Sequence, residues 1–184
     1  DRNSPRFRAL VFINIGRIIN HIREYLTIVN TERKTIVLDS NRPVRSTEDM
    51  PTWYTKKPCS LIEKSHISHC VYDSTYETSD AYVLDHSEFV SAWAKNDHLG
   101  FEIPYMYNGG IRSYRPDFLV KLTNSHMLVL ETKGKMTEEV QAKHRALQQW
   151  VDCVNESGNY GIWHCDFSLL ETDLDAVLKK YAML

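Results

Sequence analysis

The stretch Met127-Leu-Val-Leu-Glu-Thr-Lys133 constrains the fold of this chain more tightly than any other. Side chains alternate along a strand, so Met127, Val129, Glu131 and Lys133 share one face while Leu128, Leu130 and Thr132 share the other. Four apolar residues precede Glu131, which means that a strand leaves a core and delivers a carboxylate and an ammonium together at its end. Gly134 follows at once, letting the backbone turn away and leaving room for a large ligand.

Two more strand-like runs precede this one, 101–107 (FEIPYMY) and 117–122 (DFLVKL), with a Gly-Gly turn between them and a polar turn at Thr123 to His126 after them. Asp117 begins the second run directly after Pro116, and antiparallel pairing brings the start of one strand beside the end of the next. Asp117 can therefore join Glu131 and Lys133, on one condition. Around a four-residue turn, Leu122 would lie opposite Met127 and Asp117 opposite Thr132, so that Asp117 would face away from Glu131. Convergence requires an odd loop, a β-bulge or divergence of the strands. A regular hairpin with Asp117 and Glu131 on opposite faces would count strongly against the site.

Two converging carboxylates with waters suit Mg²⁺, which prefers hard oxygen ligands and keeps part of its hydration shell while bridging to phosphate. Such a cation neutralises phosphate charge and lowers the pKa of bound water. Lys133 beside it would orient that water or stabilise charge developing in the transition state. Arg112, Tyr114 and Arg115, just ahead of Asp117, and Lys135, just after Lys133, are placed to touch a phosphate backbone. Such contacts position DNA without reading its sequence.

The flanking segments supply helices. Residues 7–29 repeat apolar side chains at Val11, Ile15, Ile18, Ile22, Tyr25 and Val29 in steps of four and three, an amphipathic helix expected to pack against a neighbour. Short extended pieces follow between Thr35 and Thr55. Ser74 and Glu77 match a capping box for a helix to about Leu84, and Ser87 reads as the cap of a second short helix carrying Phe89, Val90 and Trp93. After the charged strand comes a helix from about Glu138 to Val154, with Thr137 as its cap and Gly158 to end it. A strand, YGIWHCD, and a last helix around Asp173 to Tyr181 complete an α/β chain whose mixed sheet of about four core strands is flanked by helices. Residues 1–57 read as an N-terminal helix with a β connector and 58–184 as the main domain. His144, on the apolar face of the long helix, reads as a packed histidine, and Trp150 and Trp163 as core.

Residues 1–45 hold nine Lys and Arg against four Asp and Glu, a net of +5, which leaves −7 on the remainder of a chain of net −2. A basic arm can meet phosphate, and clustered carboxylates that bind a divalent cation bring their own positive charge; an ordinary solvated basic helix explains the arm equally well. Cys59, Cys70, Cys153 and Cys165 are scattered without a CxxC pair, and no signal peptide opens the chain, so a reducing cytoplasmic setting fits best. His66, His69 and Cys70 lack a partner pair at zinc spacing. The N-terminal helix is broken by charges too often to span a membrane. Opening on Asp1 directly before a strong helix is what a piece of a longer polypeptide would show.

RSYRPDFLVKL together with LVLETKGK resembles the core of PD-(D/E)xK nucleases. HCVYDSTYE, KNDHLGFEIPY and YRPDFLV are similar to the C-terminal endonuclease region of type III restriction enzyme-like, helicase-linked proteins, over roughly residues 58–165. The resemblance implies a restriction-endonuclease-like fold, DNA cleavage dependent on Mg²⁺ with Mn²⁺ as a substitute, and fusion to an ATP-driven helicase or translocase. It also implies a third acid on the preceding helix, carried over to Glu77 with Asp80 in reserve, and polar residues on the following helix, Lys143 and Gln148, directed toward the site or DNA. Capping alone also accounts for Glu77, and solvation for Lys143.

A non-cleaving binding or docking module on the same scaffold, possible as a homodimer through the N-terminal helix, is the alternative. A glycosidase with paired carboxylates gives no reason for a lysine two residues from one of them. The chain has no GxGxxG, Walker loop or GxSxG elbow.

Overall fold

The hairpin at Thr123 sets the geometry of the molecule. In this computed structural model, which describes residues 4–29, 53–72, 74–133, 137–169 and 174–184, the loop has three residues rather than four. Leu122 N–H donates to the His126 carbonyl at 2.8 Å and Ser125 N–H to the Leu122 carbonyl at 3.0 Å, closing a tight turn. Ser125 adopts φ 69°, the left-handed residue that completes a three-residue hairpin. The odd loop shifts the pairing by one residue from the even-turn register, so strand β6 (Phe118–Leu122) meets β7 (Met127–Lys133) with Lys121 opposite Met127 and Phe118 opposite Leu130.

Four strands form the central mixed sheet in the order β3 (Val90–Lys95), β6, β7, β8 (Trp163–Leu169). The β3–β6 and β6–β7 pairs are antiparallel and β7–β8 is parallel, which requires the crossover supplied by helix α3 (Glu138–Ser157). Thr137 caps α3 by accepting from Val140 N–H at 3.2 Å, and Gly158 at φ 67° ends it, as the sequence predicts. Strand β3 corrects an expectation, because the segment after Ser87 is not a helix. A register shift between Val90 and Ala92 buries both Val90 and Trp93, so a bulged strand imitates the spacing of a helical turn.

One face of the sheet packs under α2 (Thr75–His86) and α4 (Leu174–Ala182), where Leu84, Val177 and Leu178 meet Phe118, Val120, Leu122, Leu128 and Leu130. The other face carries α3 and a separate hairpin of β4 (Ile103–Tyr107) and β5 (Gly110–Tyr114), whose Ile103, Tyr105 and Tyr114 pack with Val129, Leu147 and Phe167. Each large apolar side chain so enclosed stabilises the fold by about 1.5–3 kcal/mol. A small hairpin, β1 (Cys59–Leu61) and β2 (His69–Val71), lies beside α2 in sequence.

Helix α1 (Pro5–Val29) forms as the spacing predicts but does not bury its stripe: among the described residues, Ile15 is 45% and Ile22 52% exposed. The expected extended pieces at Thr35 to Thr55 lie mostly outside the described residues. No described helix is long and apolar enough to cross a membrane.

Candidate active site

The three-residue loop meets the condition that the sequence imposed. Continuing the β6–β7 register one step beyond Phe118 and Leu130 places Asp117 across from Glu131, on the same side of the sheet. The two strands are tied at this point by reciprocal bonds. Asp117 N–H donates to Glu131 Oε2 at 3.1 Å, and Thr132 N–H donates to Asp117 Oδ2 at 2.7 Å. Asp117 is held from its other side as well, its carbonyl accepting from Asn96 N–H at 2.8 Å. Pro116, fully buried, fixes the backbone that enters this junction.

Glu131 is 1% exposed, so its carboxylate depends on partners inside the protein. Thr132, on the opposite face of β7, carries the network to α2 by donating its hydroxyl to Asp80 Oδ2 at 2.8 Å. Burial holds the Asp80 carboxyl above its ordinary range; the Thr132 bond opposes that and the charge of Glu77 adds to it. Asp80 is thus an α2 acid that hydrogen bonds through Thr132 link to Asp117. Glu77 takes the Lys95 ammonium on Oε2 at 2.7 Å, while Ser74 Oγ accepts from Glu77 N–H at 3.2 Å and caps the helix as expected. Lys95 also donates to the Val71 carbonyl at 2.8 Å.

The cationic candidates fall into three groups. Only the backbone of Lys133 is described, opposite Leu169 in the parallel ladder, and Lys135 lies outside the described residues. Arg112 and Arg115 are exposed and paired with glutamates, Arg112 with Glu139 at 3.3 Å and Arg115 with Glu102 at 2.5 Å. Exposed pairs of this kind exchange readily for another anion. Lys143 is half-buried on α3, its ammonium 5.6 and 5.7 Å from the ring centres of Tyr105 and Tyr114. Gln148 turns to Asp152 at 2.9 Å and accepts from the Cys165 thiol at 3.4 Å, contacts within α3 and β8.

Tyr114 departs from expectation. Rather than reaching outward to phosphate, it is 5% exposed, because β5 pairs with β4 at Ile103 and folds this residue under α3. Its hydroxyl has no hydrogen-bond partner. Burial, and then the charges of Glu131, Cys165 and Asp117, raise its pKa, so it stays a neutral O–H donor. An enclosed donor left without an acceptor costs about 1–3 kcal/mol. His144 also differs from the packed histidine expected: it is exposed, with its ring 4.5 Å from Phe167. Trp150 and Trp163 meet edge to face at 5.2 Å at the margin of the core.

Among the described residues, no three His, Cys, Asp or Glu side chains gather closely enough to hold a metal alone. Mg²⁺ does not require three, since one or two carboxylates with retained waters suffice. Asp117 and Glu131 offer only hard oxygens, each with one oxygen fixed by a backbone N–H of the facing strand, so the donor set fits Mg²⁺.

Lys95, Thr132 and Asn96 are the participants that sequence reasoning missed, and Tyr114 is one that it turned toward phosphate instead of into the core. Thr132 lay in plain view inside ETK, where its hydroxyl is the only polar group on its face of the strand. Lys95 was hidden by the helical reading of its strand. No family model matches the chain, and neither a curated protein nor a solved structure matches it.

Proposed function

We propose that this chain is a Mg²⁺-dependent endonuclease domain of the PD-(D/E)xK type, hydrolysing DNA phosphodiester bonds as the C-terminal part of a larger restriction or defence helicase-nuclease with a restriction-endonuclease-like fold. The observation that carries the reading is the one-residue register shift of the β6–β7 hairpin, which turns Asp117 to the side of Glu131. An even loop would have left them apart.

Asp117 and Glu131 would hold the cation, which when bound supplies charge neutralisation at phosphate and a nucleophile at neutral pH. The chain itself provides rigidity. Backbone N–H groups fix one oxygen of each carboxylate, so little reorganisation is needed on binding. Lys133, two residues after Glu131 on the same face, is the cation assigned to the developing charge. Arg112 and Arg115, which precede Asp117 in the chain, and Lys143, beside the Tyr114 ring, can exchange their present partners for the DNA backbone.

Asp117→Asn tests the reading, because the amide keeps an acceptor for Thr132 N–H while losing the charge. We expect Mg²⁺-dependent cleavage of plasmid DNA to fall at least about a thousandfold, with an unchanged circular dichroism spectrum. Undiminished cleavage by the pure variant would remove the assignment.

A second reading, a non-cleaving docking module, is favoured by the exposed apolar face of α1. Wild-type chain that binds duplex DNA but cuts none with Mg²⁺ or Mn²⁺ would select it.

A further inference from the structure

Among the described residues, two buried side-chain polar atoms have no hydrogen-bond partner, Asn96 Oδ1 and the Tyr114 hydroxyl. Both flank Asp117 in the fold: Asn96 bonds its backbone, and Tyr114 precedes it by three residues. Asn96 has already placed its side-chain nitrogen on the Phe101 carbonyl at 2.7 Å. Tyr114 differs, because its unused group is a donor enclosed in the cluster that holds Val129, on the face of β7 that also carries the buried Glu131. The fold uses only the ring. Its edge-to-face contact with Tyr105 at 5.9 Å and its position 5.7 Å from the Lys143 ammonium would both be kept by phenylalanine.

We propose that Tyr114 is a positioning residue for Glu131, its hydroxyl donating a hydrogen bond to the Glu131 carboxylate when that carboxylate turns toward a divalent cation. The inference rests on the reading of Asp117 and Glu131 as cation-binding acids. Glu131 Oε2 accepts from Asp117 N–H at 3.1 Å, at the longer end of the range for a backbone donor. A carboxylate that is 1% exposed cannot draw on bulk water as it moves, so a donor already in the pocket decides where it comes to rest. The Tyr114 hydroxyl, enclosed and without a partner, is such a donor.

Tyr114→Phe in the whole chain, compared with wild type, separates the outcomes. Mn²⁺ binding is measured by calorimetry, unfolding temperature in EDTA, and DNA cleavage with Mg²⁺. We expect the Mn²⁺ dissociation constant to rise about tenfold, the effect of one hydrogen bond to a charged group, with cleavage reduced about as much. The unfolding temperature in EDTA should be equal or higher, because an unsatisfied hydroxyl has been removed. Tyr105→Phe is the control, since that hydroxyl donates to Glu139 at 2.5 Å and its loss should leave Mn²⁺ affinity unchanged.

Equal Mn²⁺ affinity in wild type and Tyr114→Phe would overturn the inference alone, leaving the cation reading in place. A fall in unfolding temperature without a change in affinity would overturn it as well, assigning the hydroxyl to the fold. Equal losses of affinity in the two tyrosine variants would make the effect one of packing and overturn it too. Wild-type chain that binds no Mn²⁺ would sink the cation reading, and this inference with it.

Discussion

The two ends of the central hairpin are both crowded with polar side chains, yet they are built on opposite terms. At the loop end, His126 Nδ1 and His164 Nε2 lie 3.1 Å apart and the His164 ring rests on Tyr181 at 4.8 Å. Asn124 donates to the Tyr181 carbonyl at 2.9 Å, and the Tyr181 side chain runs from there along β8 to donate to Asp166 at 2.9 Å, which Lys180 also reaches at 3.2 Å. Donors there meet acceptors within the protein, and the result is to fasten α4 to the sheet. At the other end, Glu131 is almost fully buried and a tyrosine hydroxyl beside it has no acceptor. On the function proposed above, a dense cluster of titratable groups is a poor marker of a site. Polar capacity that the fold leaves unused is a better one.

The largest expected difference between the ends lies in catalysis. Asp117→Asn should remove cleavage, as set out above, whereas His126→Gln should leave cleavage within about twofold, because the histidine pair belongs to the packing of α4. The comparison breaks if the histidine variant loses cleavage while keeping its unfolding temperature.

How much of this contrast the sequence could reveal depends on periodicity. The alternation in β7 was clear because no bulge interrupts it, and so the shared face of Val129 and Glu131 could be read directly. Helix α3 was equally legible, with Thr137 and Gly158 marking its ends. The bulge in β3 defeated the same reasoning, and Lys95 was lost with it. Loop length at Thr123 was a more delicate matter. Whether His126 belongs to the turn or to the ladder decides the side on which Asp117 falls, and composition cannot choose between them. Tyr114 was misread for a tertiary reason: only the packing of the β4–β5 hairpin under α3 turns it inward, while its neighbours Arg112 and Arg115 stay exposed. Glu77 and Asp80 lie one turn apart on the same helix, and the choice between them as the acid linked to Asp117 depends on Thr132, a partner distant in sequence.

Matched tyrosine substitutions give the next largest effect. Tyr181→Phe should lower stability in urea by about 1 kcal/mol, the loss of a satisfied hydrogen bond, and leave Mn²⁺ affinity as it was. Tyr114→Phe should do the reverse. If both variants lose stability alike, the distinction between a used and an unused hydroxyl is wrong.

Smaller again is the pH response of the loop end, since the His164 ring is only partly buried. Burial, then His126 and Lys180, hold its pKa below the ordinary value of 6.5. A depressed histidine pKa means that the unfolded chain binds the proton first, so stability falls as pH drops below about 6.5 toward the lowered folded value. Urea midpoints measured across pH 5 to 8 should show this slope in wild type, and His164→Gln should flatten it. An unchanged slope would assign the titration elsewhere.

Ser125→Gly carries the smallest expected effect and bears on what joins the two ends. Ser125 holds φ 69°, a conformation that costs an L-residue about 1–2 kcal/mol. Glycine removes that strain but loses about 0.5–1 kcal/mol through its greater freedom in the unfolded chain. The net is a stabilisation of about 0.5 kcal/mol, measurable as a rise in urea midpoint. The turn favoured by this change is the one that sets Leu122 opposite His126, and so sets Asp117 across from Glu131. Cleavage should therefore stay at the wild-type level or rise slightly as stability increases. A more stable variant that cut DNA poorly would mean that the active alignment of Asp117 and Glu131 needs a different turn, and that the register seen here belongs to an idle state.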